Sequence, residues 1–230
     1  QNVIRLAKAA GVTNRIPSGP AIALGSVELT LYEMVSAYGM FANKGLRVEP
    51  MMITRIEDKN GTVLMQSTPK TQEVMSEESA YVVLNLLEGV TTGGSGIRLR
   101  TTSERPGYVT GYPYGFNNPI AGKTGTTQNH TDGWFMGVVP NLATGVWTGG
   151  EDRAIHFEKI GKGQGASMSL PTWAIFMRKC YEDPTLNISK EAFEKPEKEI
   201  SIKLDCNSVE KKVDENEEKK PEIKKGDIDF

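Results

Sequence analysis

Apolar residues in the first ninety positions recur at helical spacing in three stretches, each bounded by a local stop or start signal. Val3, Leu6 and Ala10 share one face of a helix over residues 1–10, and Gly11 is placed to cap it in the left-handed conformation. A polar link with Pro17, Gly19 and Pro20 follows. Thr30-Leu31-Tyr32-Glu33 reads as a capping box, the threonine hydroxyl accepting the third amide while Glu33 reaches back. The helix it opens runs through Met34, Ala37, Tyr38 and Phe41 and ends near Asn43-Lys44-Gly45. Ser76-Glu77-Glu78 starts a third helix, with acids at its positive end and an apolar run from Tyr81 to Leu87. Between the second and third, Met51–Ile56 and Thr62–Met65 flank Asp58-Lys59-Asn60-Gly61, which is a hairpin signal.

The pattern then changes. Residues 91–118 are rich in Gly, Thr, Tyr and Asn with little periodicity, and a loop region of that length in a compact domain is often functional. Residues 119–126, 133–139 and 142–149 read as three short strands, the last two joined by a tight turn at Pro140-Asn141 that favours antiparallel pairing. A final helix, about Ser169 to Tyr181, is expected to carry Trp173, Phe176 and Met177 inward. The fold class is therefore α+β, helices packed on an antiparallel sheet.

Composition divides the chain. From Lys190 to Phe230 there are ten Lys and thirteen acids among 41 residues, too little apolar surface to offset ordering entropy. Residues 190–230 are expected to be a charged, mobile tail, or a docking segment, and residues 1–189 the packed part. The net charge of −2 gives no global basic field to attract nucleic acid or an anionic membrane. No stretch approaches the roughly 18 apolar residues of a transmembrane helix.

Gly122-Lys123-Thr124-Gly125-Thr126-Thr127 is the segment richest in chemistry. A phosphate loop is disfavoured, because Asn117 stands where the first glycine belongs and the following residues read as strand, not helix. The other reading is a Lys-Thr-Gly strand in a serine acyl-transfer site. There Lys123 supplies a positive field that poises a nearby proton transfer. Gly125 lets a substrate backbone lie close, and the Thr126 amide serves as an oxyanion donor, an arrangement worth about 3–4 kcal/mol. Thr124 and Thr126 hydroxyls bind a substrate carboxylate, with Thr127 beside them. The plain alternative is an edge strand with a solvated lysine and β-branched threonines.

The surrounding sequence decides between them. Ser18-Gly19-Pro20-Ala21-Ile22-Ala23-Leu24-Gly25-Ser26-Val27-Glu28-Leu29-Thr30, then Glu33-Met34-Val35-Ser36-Ala37-Tyr38 and Phe41-Ala42-Asn43-Lys44-Gly45, resemble the transpeptidase domain of class A penicillin-binding proteins. So do the Lys-Thr-Gly strand, Asp132-Gly133-Trp134-Phe135-Met136-Gly137, Thr144-Gly145-Val146-Trp147 and Leu170-Pro171-Thr172-Trp173, in collinear order over roughly residues 1–180. The resemblance implies a penicilloyl-serine-transferase fold, like that of β-lactamases and transpeptidases, with its N-terminal part missing. It implies cross-linking of peptidoglycan by acyl transfer from D-Ala-D-Ala stem peptides, inhibition by β-lactams, no cofactor or metal, and a location on the extracytoplasmic (periplasmic) face of the bacterial inner membrane. Its site residues are Lys123 and Thr126 for catalysis and Thr124, Gly125, Thr126 and Thr127 for substrate binding.

The family uses two further motifs, a Ser-x-x-Lys nucleophile and a Ser-x-Asn relay. Ser-x-x-Lys occurs at Ser67–Lys70, where Pro69 follows a hairpin strand, and at Ser208–Lys211 in the charged tail; neither suits the start of a buried helix. Ser-x-Asn does not occur. Both motifs are therefore expected in an upstream part of the same polypeptide, together with a membrane anchor and a glycosyltransferase domain, leaving this chain half a site and inactive alone. A non-catalytic binding or scaffold module of the cell envelope is the rival.

Other residues add less. His130 and Asp132 suggest a triad but lack a placed serine, and His156 is isolated; two His and two Cys give no metal-ligand spacing. The implied extracytoplasmic location permits a disulfide between Cys180 and Cys206 worth about 3 kcal/mol, the alternative being two separate thiols. Tyr108, Tyr112, Tyr114 and Phe116 would form either a rim over the cleft or a loop packed on the sheet.

Overall fold

In the computed structural model of this chain, residues 1–25, 27–102 and 109–204 are described. Residues 1–199 form one compact unit; of the second unit, which begins at Ile200, the described residues 200–204 contain no helix or strand. The helices open the chain: α1 spans Asn2–Ala9, with Gly11 at φ +103° just beyond it. Helix α2 spans Leu31–Ala42 and begins with both bonds of the capping box formed. Strands β1 (Leu46–Val48), β2 (Arg55–Glu57), β3 (Val63–Gln66) and β4 (Thr71–Glu73) then make two small antiparallel pairs, β1 with β4 and β2 with β3. The β2–β3 turn closes because the Asp58 carboxylate accepts the Asn60 and Thr62 amides and Gly61 adopts φ +83°. The strand expected from Met51 forms only from Arg55; Met52 is 89% exposed, and with nothing to pack against it gains no reason to pair.

Helix α3 spans Glu77–Thr92, capped by the Ser76 hydroxyl. The central sheet consists of β5 (Ala121–Thr126), β6 (Asp132–Val139) and β7 (Leu142–Gly149), antiparallel and in that order. The register sets Lys123 opposite Met136, Thr124 opposite Phe135 and Gly125 opposite Trp134. Two one-turn helices, α4 (Ile160–Gly163) and α5 (Gly165–Met168), lead into α6, Leu170–Glu182. Neither short helix carries a periodic apolar pattern, which is why the sequence gives no sign of them.

The sheet is covered on both faces. Toward α6, Phe135 and Val139 join Leu99, Phe116, Ile120, Leu170, Trp173 and Met177 in a buried cluster. Gly137 is required there, since a Cβ would stand 2.2 Å from the Trp173 ring. Toward α2, Ala121 and Val138 pack with Leu84, and a Cβ on Gly145 would meet Leu31 at 2.9 Å. Trp173 and Met177 point inward as expected, but Phe176 is 48% exposed; Cys180, one turn on from Met177 and two from Trp173, takes the inward place instead. Among the described residues no helix is long and apolar enough to cross a membrane.

The packed unit also reaches past the composition step at Lys190. Phe193 is buried against Leu84, Ala121 and Val138, and Glu194 pairs with Lys44 at 2.9 Å. A buried aromatic ring and an ion pair anchor this stretch, although its composition is that of a solvated segment. The remainder of the expected tail, from residue 205, and with it Cys206 and Ser208–Lys211, lies outside the described residues.

Candidate active site

Strand β5 is an edge strand among the described residues, with β6 on one side only. Just beyond its end the Thr127 amide donates to the Asp132 carbonyl of β6. Because successive residues of a strand turn their N–H and C=O groups to opposite sides, the main-chain groups of Thr126 and Thr124 face the open edge. Lys123 is exposed, and its ammonium folds around that edge to donate to the Thr124 carbonyl at 2.6 Å. Side-chain alternation puts Thr124 and Thr126 on the α6-facing side and Lys123 and Gly125 on the other.

Both threonine hydroxyls are held. Thr126 Oγ1 accepts the Gly165 amide at 3.1 Å, and Thr124 Oγ1 lies 2.6 Å from Ser95 Oγ. Helix α5 can sit this close only because residue 165 is glycine: a Cβ would be 2.2 Å from the Gly125 carbonyl and 2.4 Å from that of Trp134. Arg98 ties the loop after α3 to the same helix, donating to the Ala166 carbonyl and to Ser167 Oγ. Deeper in, buried Arg100 donates to the Phe116 and Asn118 carbonyls, and Thr91 Oγ1 donates to the Ile120 carbonyl at 2.6 Å. These bonds fix the approach to β5 from behind.

Lys123, Thr124, Gly125 and Thr126 are thus brought to one open strand edge. Thr127 is used differently: its hydroxyl bonds Thr131 Oγ1 and accepts the Asp132 amide, closing the turn into β6. Asp132 is occupied there too, its carboxylate accepting from Thr127, Thr131 and the Trp147 indole. His130 turns back at φ +58°, and its Nδ1 has no hydrogen-bond partner among the described residues, so no His–Asp dyad is assembled. Among the described residues no cluster suits a metal ion. Of the aromatic group, Phe116 is core, Tyr114 packs against that core, and Tyr112 lies under the Arg98 guanidinium at 4.7 Å; Tyr108 is outside the described residues.

Ser67 follows β3 in extended chain, and Lys70 pairs loosely with Glu49 at 3.8 Å, so this Ser-x-x-Lys match has no helical geometry. Ser95 is the site residue that motif reading does not single out. Its signal is the Gly-Gly-Ser-Gly run of residues 93–96, a turn tight enough to carry a side chain from the end of α3 onto the neighbouring strand.

Residues 7–150 match the sequence family described as the penicillin binding protein transpeptidase domain. The chain belongs to that family. Among curated relatives it is 31% identical to penicillin-binding protein 1A of Aquifex aeolicus over 203 residues, 88% of this chain and 25% of that protein. It is 30% identical to penicillin-binding protein 2D of Bacillus subtilis, over 88% of this chain and 27% of the relative. The chain therefore spans about a quarter of the length of these relatives. Among solved structures, penicillin-binding protein 1A of Haemophilus influenzae superposes with a TM-score of 0.63 at 24% identity, covering 88% of this chain and 34% of the other. PonA1 of Mycobacterium tuberculosis, in complex with penicillin V, gives 0.66 at 23% identity, covering 86% and 53%. The fold is that of the penicillin-binding transpeptidase domain, α+β as the sequence pattern indicates.

Proposed function

We propose that this chain carries the Lys-Thr-Gly half of a serine D,D-transpeptidase site that cross-links peptidoglycan. The observation carrying this reading is the open edge of β5, where an exposed ammonium, an outward amide and two hydroxyls converge within four residues of a transpeptidase-family chain. An extended D-Ala-D-Ala stem peptide would lie along that edge, close against Gly125. A serine oxygen would attack the penultimate D-Ala carbonyl, and the Thr126 amide would stabilise the resulting oxyanion. Collapse of that intermediate would expel D-Ala and leave an ester, which an amine of a second stem peptide would attack to form the cross-link. The Lys123 ammonium would favour the anionic groups throughout, and the Thr124 and Thr126 hydroxyls would hold the terminal carboxylate. A β-lactam would acylate the same serine by presenting its own amide and carboxylate to these groups.

The attacking serine is assigned to residues outside 1–230, in an upstream part of the same polypeptide. Neither motif reading nor the surroundings of Ser67 supports a nucleophile within the described residues. The longer protein would be membrane-anchored, face the periplasm and also bear a glycosyltransferase domain, as the resemblance to class A enzymes implies.

Covalent labelling by a fluorescent penicillin tests this reading. A full-length protein containing these residues should label on a serine outside 1–230, and Lys123→Ala should slow labelling by about a hundredfold or more. A labelled serine within 1–230 would overturn the half-site assignment. Absence of label in the folded full-length protein would favour the non-catalytic cell-envelope module.

A further inference from the structure

The turn after α3 is built to deliver one side chain. The Gly96 amide returns to the Val90 carbonyl at 2.9 Å and the Ile97 amide to the Gly94 carbonyl at 3.1 Å. A Cβ on Gly94 would lie 2.9 Å from Val90 Cα, and one on Gly96 would lie 3.2 Å from the Val90 carbonyl. Only Ser95, between these two glycines, carries a functional group, and it meets Thr124 across 29 residues of sequence. Four residues earlier Thr91 bonds the Ile120 carbonyl with the same separation, so α3 and its turn run in step with β5. The two contacts differ in one respect: Thr91 is buried, whereas Ser95 is exposed. A buried hydroxyl must find a partner, but an exposed one has water. The Ser95–Thr124 bond is therefore not explained by the need to satisfy the interior.

We propose that Ser95 is a positioning residue for carboxylate recognition, orienting the Thr124 hydroxyl as one of two donors that bracket the anion. This rests on the transpeptidase reading, in which the ligand ends in a carboxylate. Each hydroxyl has one proton to donate. In the Ser95–Thr124 pair one proton is spent between the two oxygens and the other remains for a ligand. With Ser95 as donor, the Thr124 proton is turned outward. The Thr126 oxygen already accepts the Gly165 amide, which leaves its own proton free to donate to a ligand. Thr124 and Thr126 lie two residues apart on one face, about 7 Å along the strand, a span in which two hydroxyls reach the two oxygens of a single carboxylate.

The test uses the full-length protein with Ser95→Ala and Ser95→Thr, and compares acylation by benzylpenicillin with acylation by its methyl ester, which lacks the negative charge. Ser95→Ala is expected to slow acylation by the free acid about tenfold, as befits a weakened hydrogen bond to a charged group. Acylation by the ester should change less than about twofold, and Ser95→Thr should restore the free-acid rate. The exposed position means that melting temperature should not move. Equal slowing with acid and ester, or no slowing with the acid, overturns the assignment of Ser95 while leaving the transpeptidase reading intact. A folded wild-type protein that neither compound acylates overturns the transpeptidase reading, and this inference with it.

Discussion

Gly165 rests on Gly125 so closely that a Cβ at 165 would stand 2.2 Å from the Gly125 carbonyl oxygen, while its amide donates to Thr126 Oγ1. Helix α5 is thereby a template for the end of β5: it fixes the strand from one face and leaves the edge open.

Gly165→Ala should therefore damage the site more than the fold. Overpacking of this kind costs about 1–3 kcal/mol, and here relief requires α5 to lift from β5. In the full-length protein, penicillin labelling should slow by at least about tenfold while the protein stays folded. Unchanged labelling would show that α5 does not shape the strand.

Glu33 offers a pH signature. It is 5% exposed; burial raises its pKa, but hydrogen bonds from the Thr30 and Thr13 amides and hydroxyls outweigh this and bring it from 4.5 to about 2. A carboxyl with a depressed folded pKa contributes stability that is complete above pH 4.5 and disappears as pH falls toward 2. Denaturant unfolding between those limits should show stability falling with acidity. Glu33→Gln should lower stability at neutral pH by about 3 kcal/mol and reduce the slope. An identical slope in the variant would assign the acid sensitivity elsewhere.

Trp173 joins α6 to the sheet in two ways, its ring filling the space above Gly137 and its indole donating to Thr144 Oγ1 at 2.6 Å. Trp173→Ala should cost about 3–5 kcal/mol, and Trp173→Phe about 1–3 kcal/mol from the lost volume and bond. Thermal melting of the two variants should rank them in that order.

Phe193→Ala should cost about 3 kcal/mol, because the ring packs with Leu84, Ala121 and Val138 directly behind β5. A melting temperature equal to wild type would mean that the stretch from Lys190 to Glu199 contributes nothing to the packed unit.

Much of the local structure is legible because its causes are local. Thr30-x-x-Glu33 forms its capping box, Asp58 to Gly61 turns the β2–β3 hairpin, and the strands end within two residues of where apolar runs meet Pro140-Asn141 and the Thr127 turn. Lys-Thr-Gly falls on a strand because the residues that follow it, Asp132–Val139, read as strand and pair with it. Phe176 faces outward although the spacing predicts it inward, because helical spacing admits both Trp173–Met177 and Trp173–Phe176 faces and only the position of the sheet chooses.

The sequence by itself determined the longer helices, the β2–β3 hairpin, the three central strands and the chemistry offered by β5, since propensities, caps and turns act over a few residues. The tertiary structure alone decided which hydroxyls that strand presents. Thr124 is met by Ser95 and Thr126 by Gly165, whereas Thr127 is drawn into its own turn. It alone decided, too, that the Glu33 carboxylate which caps α2 also accepts the Thr13 amide and hydroxyl twenty residues back. Such contacts join residues distant in the chain, and their geometry is set by how helices seat on the sheet, a packing condition that no short window of sequence contains.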